Sequence, residues 1–253
     1  MAAQKIGLQL YSLRDIYFEN PKETLKLVKE SGYDGVDMYG NINMGAQELK
    51  KLLDDAGLEC FGWHASWDYI SKPDILEMFA EYNKVIGNKY LICPGFPFAW
   101  QAKTTKDQWL EGAQKLNDIA AQLKKHGMFT GLHSHDVEFK PTDGTDELPW
   151  DIVAKNTVND VVLQLDMGNT YSAGFDPVEV LKKYSGRYRT LHLKPYSLKT
   201  GMKTAIGEDD IDWAETVKYC KDHGGTEYFI VEYEESDAKT VIKTCADNFR
   251  KHL

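Results

Sequence analysis

Eight short β-rich runs alternate with longer amphipathic runs along the 253 residues of this chain, and this alternation restricts the possible folds more than any other feature. The strand-like runs cover residues 5–11, 34–38, 58–64, 88–93, 128–135, 160–166, 188–194 and 227–233. The helical patterns cover about 21–31, 46–56, 74–86, 105–126, 146–155, 176–184, 211–222 and 237–252. Each predicted strand is therefore followed by one predicted helix.

Local signals at the helix ends agree with this pattern. Helical runs are followed by residues that favour a left-handed backbone, namely Gly32, Gly57, Gly87, Gly127 and Gly224. Prolines stand near the predicted helix starts at Pro21, Pro73 and Pro177. The runs 161–165 and 228–231 are almost continuously apolar, which is typical of parallel strands covered on both faces.

Eight β/α units in about 250 residues predict an α/β protein, a single (β/α)8 TIM barrel in which residues 1–253 form one domain. A doubly wound open sheet is the alternative. It is disfavoured because the first strand-to-helix turn lacks the GxGxxG phosphate loop that such sheets use to bind dinucleotides.

Composition points to a small-molecule partner. The net charge of -9 and the absence of a Lys/Arg cluster argue against nucleic-acid binding. No apolar run approaches the roughly 20 residues that cross a bilayer, and the amino terminus has no signal-peptide pattern, so we expect a cytoplasmic protein without a membrane partner. The four cysteines show no CxxC spacing and are expected to be buried, reduced thiols. Assembly into a homo-oligomer stays open.

Polar residues are concentrated at the predicted carboxyl ends of the strands, where a barrel of this type holds its catalytic groups. They are Gln9, Tyr11, Asp37, His64, His133, His135, Glu138, Asp166, Asn169, His192, Lys194, Glu232 and Glu234. Charged side chains at the end of an apolar strand are costly to bury unless they are paired or bind a metal. The pattern therefore predicts a bound cation at the mouth of the barrel.

Glu138, Asp166, His192 and Glu232 follow four successive strands and form the predicted ligand set of one divalent metal ion. Carboxylates with one imidazole suit Mn²⁺, the expected ion, with Mg²⁺, Co²⁺ or Zn²⁺ as alternatives. A structural zinc site is disfavoured because no thiolate belongs to the set. Glu138 lies three residues beyond His135, so it needs a turn or bulge to point inward.

At these residues the sequence resembles the sugar phosphate isomerase/epimerase family of the xylose isomerase-like TIM barrel superfamily, which includes ketose 3-epimerases and inosose dehydratases. The resemblance runs through nearly the whole chain. It is carried by 7–14 (GLQLYSLR), 32–37 (GYDGVD), 132–139 (LHSHDVEF), 164–169 (QLDMGN), 173–177 (AGFDP), 186–187 (GR), 191–194 (LHLK) and 231–232 (VE).

The resemblance implies the same four metal ligands and adds roles for them. By position, Glu138 and Glu232 would also move protons to and from the substrate. Lys194 is followed by Pro195, where many relatives have aspartate, which leaves the substrate open. Further residues are expected to bind a small carbohydrate substrate: Tyr11, His64, His133, His135, Asn169 and Lys194.

The predicted activity is that of an isomerase or epimerase in carbohydrate metabolism, which removes a proton next to a carbonyl and stabilises the resulting enediolate with the metal. A metal-dependent lyase or dehydratase, acting on a keto-sugar, keto-glycoside or inosose by β-elimination, begins with the same step and is the main alternative. A non-catalytic sugar-binding subunit and an apurinic endonuclease are the remaining alternatives. The low pI, near 5.3, disfavours the endonuclease, and the retention of both predicted proton-transfer carboxylates disfavours the binding subunit.

Overall fold

The computed structural model describes residues 4–223 and 225–253. Residues 1–3 of the predicted domain and Gly224, predicted to follow a helix, lie outside the described residues. Eight parallel strands form one sheet: β1 (Lys5–Gln9), β2 (Gly35–Tyr39), β3 (Glu59–His64), β4 (Tyr90–Cys93), β5 (Phe129–His133), β6 (Val162–Gln164), β7 (Thr190–Leu193) and β8 (Tyr228–Val231).

The sheet curls into a nearly closed barrel. Its strand order is β6-β5-β4-β3-β2-β1-β8-β7, so that β6 and β7 are the two ends of the paired ladder. These ends meet through a parallel bridge between Asp166 and His192, and the backbone amide of His192 donates to the carbonyl of Leu165 at 2.9 Å. The predicted TIM barrel is confirmed.

Eight helices follow the eight strands: α2 (Pro21–Glu30), α3 (Ala46–Ala56), α5 (Pro73–Ile86), α6 (Lys106–Leu123), α7 (Pro149–Asn156), α9 (Pro177–Lys183), α10 (Trp213–His223) and α11 (Ala238–Phe249). Each lies at a predicted helical run. The sequence patterns missed three shorter helices in the loops after β1, β3 and β6, namely α1 (Arg14–Tyr17), α4 (Trp67–Ile70) and α8 (Met167–Ser172). Among the described helices, none has both the length and the apolar character that crossing a bilayer requires.

Glycines allow close packing at the amino-terminal end of the barrel interior. The ring of Phe61 lies where a side chain on Gly7 or Gly35 would be, since a Cβ at either position would come within 2.6 Å of that ring. Phe61 also stacks on Tyr228 with ring centroids 4.0 Å apart. The interior is therefore filled with aromatic rings at this end, and its polar residues lie toward the opposite, carboxyl-terminal mouth.

Several strands are shorter at the mouth than the sequence patterns predicted. Strand β5 was expected to reach residue 135 but ends at His133, and β6 was expected to reach residue 166 but ends at Gln164. Beyond these ends a side chain takes the place of a backbone hydrogen-bond partner. The hydroxyl of Ser134 accepts from the backbone amide of Asp166. The four cysteines are buried and unpaired, as expected.

Candidate active site

A cavity of about 550 Å³ opens at the carboxyl-terminal mouth of the barrel. The six residues predicted to bind substrate all line it, together with Glu232, two further acidic residues and several apolar ones. The lining consists of Tyr11, Tyr39, Gly40, His64, Ser66, Pro94, His133, His135, Asn169, Lys194, Met202, Glu232, Tyr233, Glu234 and Glu235. The size is within the range of cavities that bind small molecules.

Four buried side chains converge at one side of this cavity. Their ligand-capable atoms all lie within 4.8 Å of one another, and they belong to His133, Asp166, His192 and Glu232. Three of these residues are in the predicted ligand set. The fourth position is filled by His133, which ends β5, and Glu138 is not part of this group of described residues.

Glu138 lies beyond β5 in a short 3-10 turn, Asp136–Phe139, and its carboxylate turns back toward the turn's own start. Its Oε2 accepts a hydrogen bond from the backbone amide of His135 at 2.7 Å. The residue is fully buried, and its Oε1 has no hydrogen-bond partner within the described part of the chain. Burial raises the pKa of this carboxyl to about 8. The predicted ligand and proton-transfer roles of Glu138 stay predictions.

His192 is held between two carboxylates. Its Nδ1 lies 2.9 Å from Oε2 of Glu232, and its Nε2 lies 3.1 Å from Oδ2 of Asp37. Burial alone would lower the pKa of this imidazole, but the hydrogen bonds and charges of the two carboxylates outweigh it and raise the pKa to about 9. Without a metal, the two carboxylates therefore favour the imidazolium form of His192, which has a proton on each ring nitrogen.

Asp166 is the N-cap of helix α8, and this position orients its carboxylate. Its Oδ1 accepts from the backbone amide of Asn169 at 2.7 Å, an N-cap that fixes the carboxylate at the end of β6. Its Oδ2 is buried without a hydrogen-bond partner among the described residues. Burial, with the neighbouring charge of Glu232, raises the pKa of Asp166 to about 6.

Lys194 is a buried cation beside these carboxylates. Its Nζ lies 3.7 Å from Oε2 of Glu232 and 3.8 Å from Oδ2 of Asp166, and it donates to Glu234. Burial would lower its pKa, but the three carboxylates raise it, so the amine is charged. For Glu232, burial disfavours ionisation, but the charge of Lys194 and the hydrogen bond with His192 hold its pKa well below the usual range.

The remaining imidazoles of the cavity are neutral. Burial lowers the pKa of His64 and lowers that of His133 well below the ordinary value. Burial also lowers the pKa of His135 to about 4. One amide oxygen, Oε1 of Gln164, lies 2.6 Å from Nε2 of His64 and 3.0 Å from Nδ1 of His133.

The four converging donors fit a divalent cation. Two carboxylates and two imidazoles each bring a ligand-capable atom to within 4.8 Å of the others. The Oδ2 of Asp166, which has no hydrogen-bond partner among the described residues, is the kind of buried acceptor that costs free energy unless it is bonded. Metals of the Mn²⁺ to Zn²⁺ series accept mixed nitrogen and oxygen donors. The sequence analysis had predicted three of these residues, Asp166, His192 and Glu232, as metal ligands.

Two buried residues beside this group received no role from the sequence. Asp37 was recognised only as a polar strand end, and Gln164 was part of a motif without a function. The period of two along a strand was the available signal for Gln164, because it puts residues 164 and 166 on the same face.

The fold and the site together define a (β/α)8 barrel with a buried group of metal-capable donors at its carboxyl-terminal mouth. Residues 25–252 match the family described as xylose isomerase-like TIM barrel. The chain belongs to this family, and the resemblance noted in the sequence is confirmed.

Proteins similar to this chain include an enzyme and two solved structures. The inosose dehydratase of Clostridium perfringens (strain 13 / Type A) is 29% identical over 257 residues, covering 88% of this chain and 85% of that protein. A sugar phosphate isomerase/epimerase from Parabacteroides distasonis superposes with a TM-score of 0.81 at 23% identity, covering 97% of each chain. A structure described as the IOLI protein with a binding zinc atom has a TM-score of 0.69 at 16% identity and covers 98% of this chain and 96% of that one.

Proposed function

We propose that this protein is a metal-dependent dehydratase, which removes a proton next to the carbonyl of an inosose or keto-sugar and expels a neighbouring hydroxyl. The observation that carries the proposal is the pair of Glu232 and Lys194, an ionised carboxylate and a charged amine 3.7 Å apart in the cavity wall. The similarity to the inosose dehydratase of Clostridium perfringens supports the same reaction.

His133, Asp166, His192 and Glu232 would hold the cation. When bound, it would act as a Lewis acid that stabilises negative charge developing on the substrate's oxygens. Mn²⁺ remains the ion we expect, and the zinc named for one structural neighbour keeps Zn²⁺ as an alternative. Glu138 is left out of this proposed donor set because it turns toward the amide of His135 instead.

The proton transfers are assigned to groups that line the cavity. Glu232 is ionised and can accept the proton on the carbon next to the carbonyl. Lys194 carries a proton and lies on the same side of the cavity, so it can donate to the departing hydroxyl. Proton removal and hydroxyl protonation from one side of a ring correspond to a syn elimination of water.

The substrate is expected to be uncharged. Three carboxylates, Glu232, Glu234 and Glu235, line the cavity, and Lys194 is the cation among the residues that line it. Lys194 already pairs with Glu232 and Glu234, so no free cation is left among these lining residues to pair with a phosphate group. Hydroxyl groups can instead bond to neutral imidazoles and to the amide of Asn169.

An isomerase or epimerase is the second candidate. Inverting a carbon requires proton transfer on two opposite faces of the substrate. The carboxylates that line this cavity, within the described chain, all follow β8, which disfavours a two-carboxylate mechanism. The observation that favours an epimerase is the trio His64, His133 and His135. His64 ends β3, His133 ends β5 and His135 follows β5, on the opposite side of the ring of strands from β8.

The decisive experiment is a substrate screen by NMR in D2O with the Mn²⁺-supplemented protein, using inososes, ketoses and keto-sugars. A dehydratase yields an unsaturated or tautomerised product that has lost water. An epimerase instead gives deuterium in a product of unchanged composition. Glu232→Gln serves as the inactive control, and Glu111→Gln, which alters an exposed carboxylate on α6, as the active one. If none of these substrates undergoes exchange or elimination, the proposed function is refuted.

A further inference from the structure

We propose that Asp37 and Gln164 are positioning residues that select which ring nitrogens His192 and His133 present to the metal. Both residues are fully buried, and neither is among the residues that line the cavity. Each contacts an imidazole of the donor group through the nitrogen on the far side from the carboxylates of that group. The inference rests on the proposed metal site, although it can be tested without any substrate.

Gln164 fixes the orientation of His133. Its amide nitrogen donates to Oγ1 of Thr190 at 2.9 Å, which leaves its amide oxygen to accept from Nδ1 of His133 at 3.0 Å. A carbonyl oxygen cannot donate, so Nδ1 must carry the ring proton. In a neutral imidazole the lone pair is then on Nε2, the nitrogen that lies 3.9 Å from Oδ2 of Asp166.

The same amide oxygen fixes a second ring. It lies 2.6 Å from Nε2 of His64, so that this nitrogen is also a donor. His64 is neutral and would face the cavity with its other nitrogen unprotonated. One glutamine thus sets two tautomers, which explains why a polar amide is buried in the barrel interior.

Asp37 fixes the orientation of the His192 ring in the same way. Its Oδ2 accepts from Nε2 of His192 at 3.1 Å. The carboxylate fits against Gly62, since a Cβ at that position would lie 2.7 Å from Oδ1 of Asp37. With Nε2 held by Asp37, the nitrogen directed at Glu232 is Nδ1, at 2.9 Å.

The two imidazoles would therefore bind through different atoms, Nε2 of His133 and Nδ1 of His192. Carboxylates and amides that hold the second nitrogen of a metal-binding imidazole commonly fix its tautomer, and their loss typically weakens metal binding about 10- to 100-fold. If Asp37 and Gln164 were only core polar contacts, their replacement would change stability and leave the affinity unchanged.

The test uses metal-free protein with ¹⁵N-labelled histidine. Long-range ¹H–¹⁵N NMR on the wild type should show His133 as the Nδ1–H tautomer. Titration with Mn²⁺, followed by EPR, should give dissociation constants about 10- to 100-fold larger for Asp37→Ala and Gln164→Leu, which both lose the oxygen that accepts from the ring. Thr130→Val is the matched control, because Thr130 is a fully buried β5 residue whose hydroxyl donates to the carbonyl of Leu91, and its affinity should equal that of the wild type.

Thr190→Val is a gentler variant in case Gln164→Leu does not fold. It removes the hydroxyl that anchors Gln164 and leaves both imidazoles in place, and it should also weaken Mn²⁺ binding. An Nε2–H tautomer for His133, or wild-type affinity in Asp37→Ala together with Gln164→Leu or Thr190→Val, would overturn the inference. A wild-type protein that binds no Mn²⁺ would refute the proposed metal site instead, and the NMR measurement would still decide the tautomer of His133.

Discussion

Replacing Glu138 by glutamine should remove a pH-dependent loss of stability from this protein. Glu138 is fully buried, and burial raises its pKa from the ordinary 4.5 to about 8. Between these two values the unfolded chain has released the proton while the folded protein still holds it. The unfolding free energy of the wild type therefore falls as the pH rises across this window.

The magnitude follows from the two pKa values. Each pKa unit corresponds to about 1.4 kcal/mol, so the wild type should lose on the order of 4 kcal/mol relative to Glu138→Gln between pH 4.5 and pH 8. Glutamine keeps an oxygen that can accept from the amide of His135 and carries no charge at any of these pH values. Its buried NH2 group costs a constant amount, which shifts the variant's curve without changing its slope.

Equilibrium urea unfolding at pH 5, 6.5 and 8, on metal-free protein, measures this difference. Glu111→Gln controls for the loss of an exposed carboxylate and should follow the wild type at every pH. Parallel curves for the wild type and Glu138→Gln would show that Glu138 is ionised in the folded protein, and the reasoning would be wrong. Activity gives a second result, because Glu138→Gln should keep most of it if Glu138 fixes the loop at His135 and transfers no proton.

Three further predictions concern the metal and the acid–base pair. The purified protein should contain about one divalent ion by elemental analysis, and Asp166→Ala or His192→Ala should lose it while circular dichroism shows an unchanged fold. Glu232→Gln should lose roughly 10²- to 10⁴-fold in turnover, more than it loses in Mn²⁺ affinity, because an amide oxygen can bind a metal but cannot accept the substrate's proton. Lys194→Met should slow product formation more than deuterium exchange into recovered substrate, whereas equal loss of both would remove Lys194 from the proposed role as acid for the leaving hydroxyl.

Much of the architecture could be predicted because it depends on local patterns. Alternating β-rich and amphipathic runs located all eight strands and their helices, and prolines at 21, 73 and 177 begin helices as expected. The short helices α1, α4 and α8 were missed because four to six residues give too little periodicity to recognise. Each of them lies in a loop at the mouth, where tertiary contacts decide the backbone.

Strand ends at the mouth were the least accurate boundaries. The sequence continued β6 to Asp166, whereas the ladder ends at Gln164 and Asp166 caps the next helix. Aspartate serves equally well as an N-cap and as a polar strand end, so the sequence alone does not separate these two roles. The side chain reaches the predicted place even though its backbone does not belong to the strand.

The difference between His133 and Glu138 shows which part of a site the sequence can predict. Inside a strand, successive side chains point to opposite faces, so a residue in the strand, such as His133 or Gln164, can be assigned to the barrel interior by counting in twos. This rule holds for one or two residues past the strand end, as it does for Asp166, Lys194 and Glu232. Glu138 lies five residues past His133, in a 3-10 turn that reverses its side chain toward the backbone of His135. The motif predicted a metal ligand at Glu138, and this stays a prediction, whereas the counting rule reaches His133, which lies in the group of converging side chains.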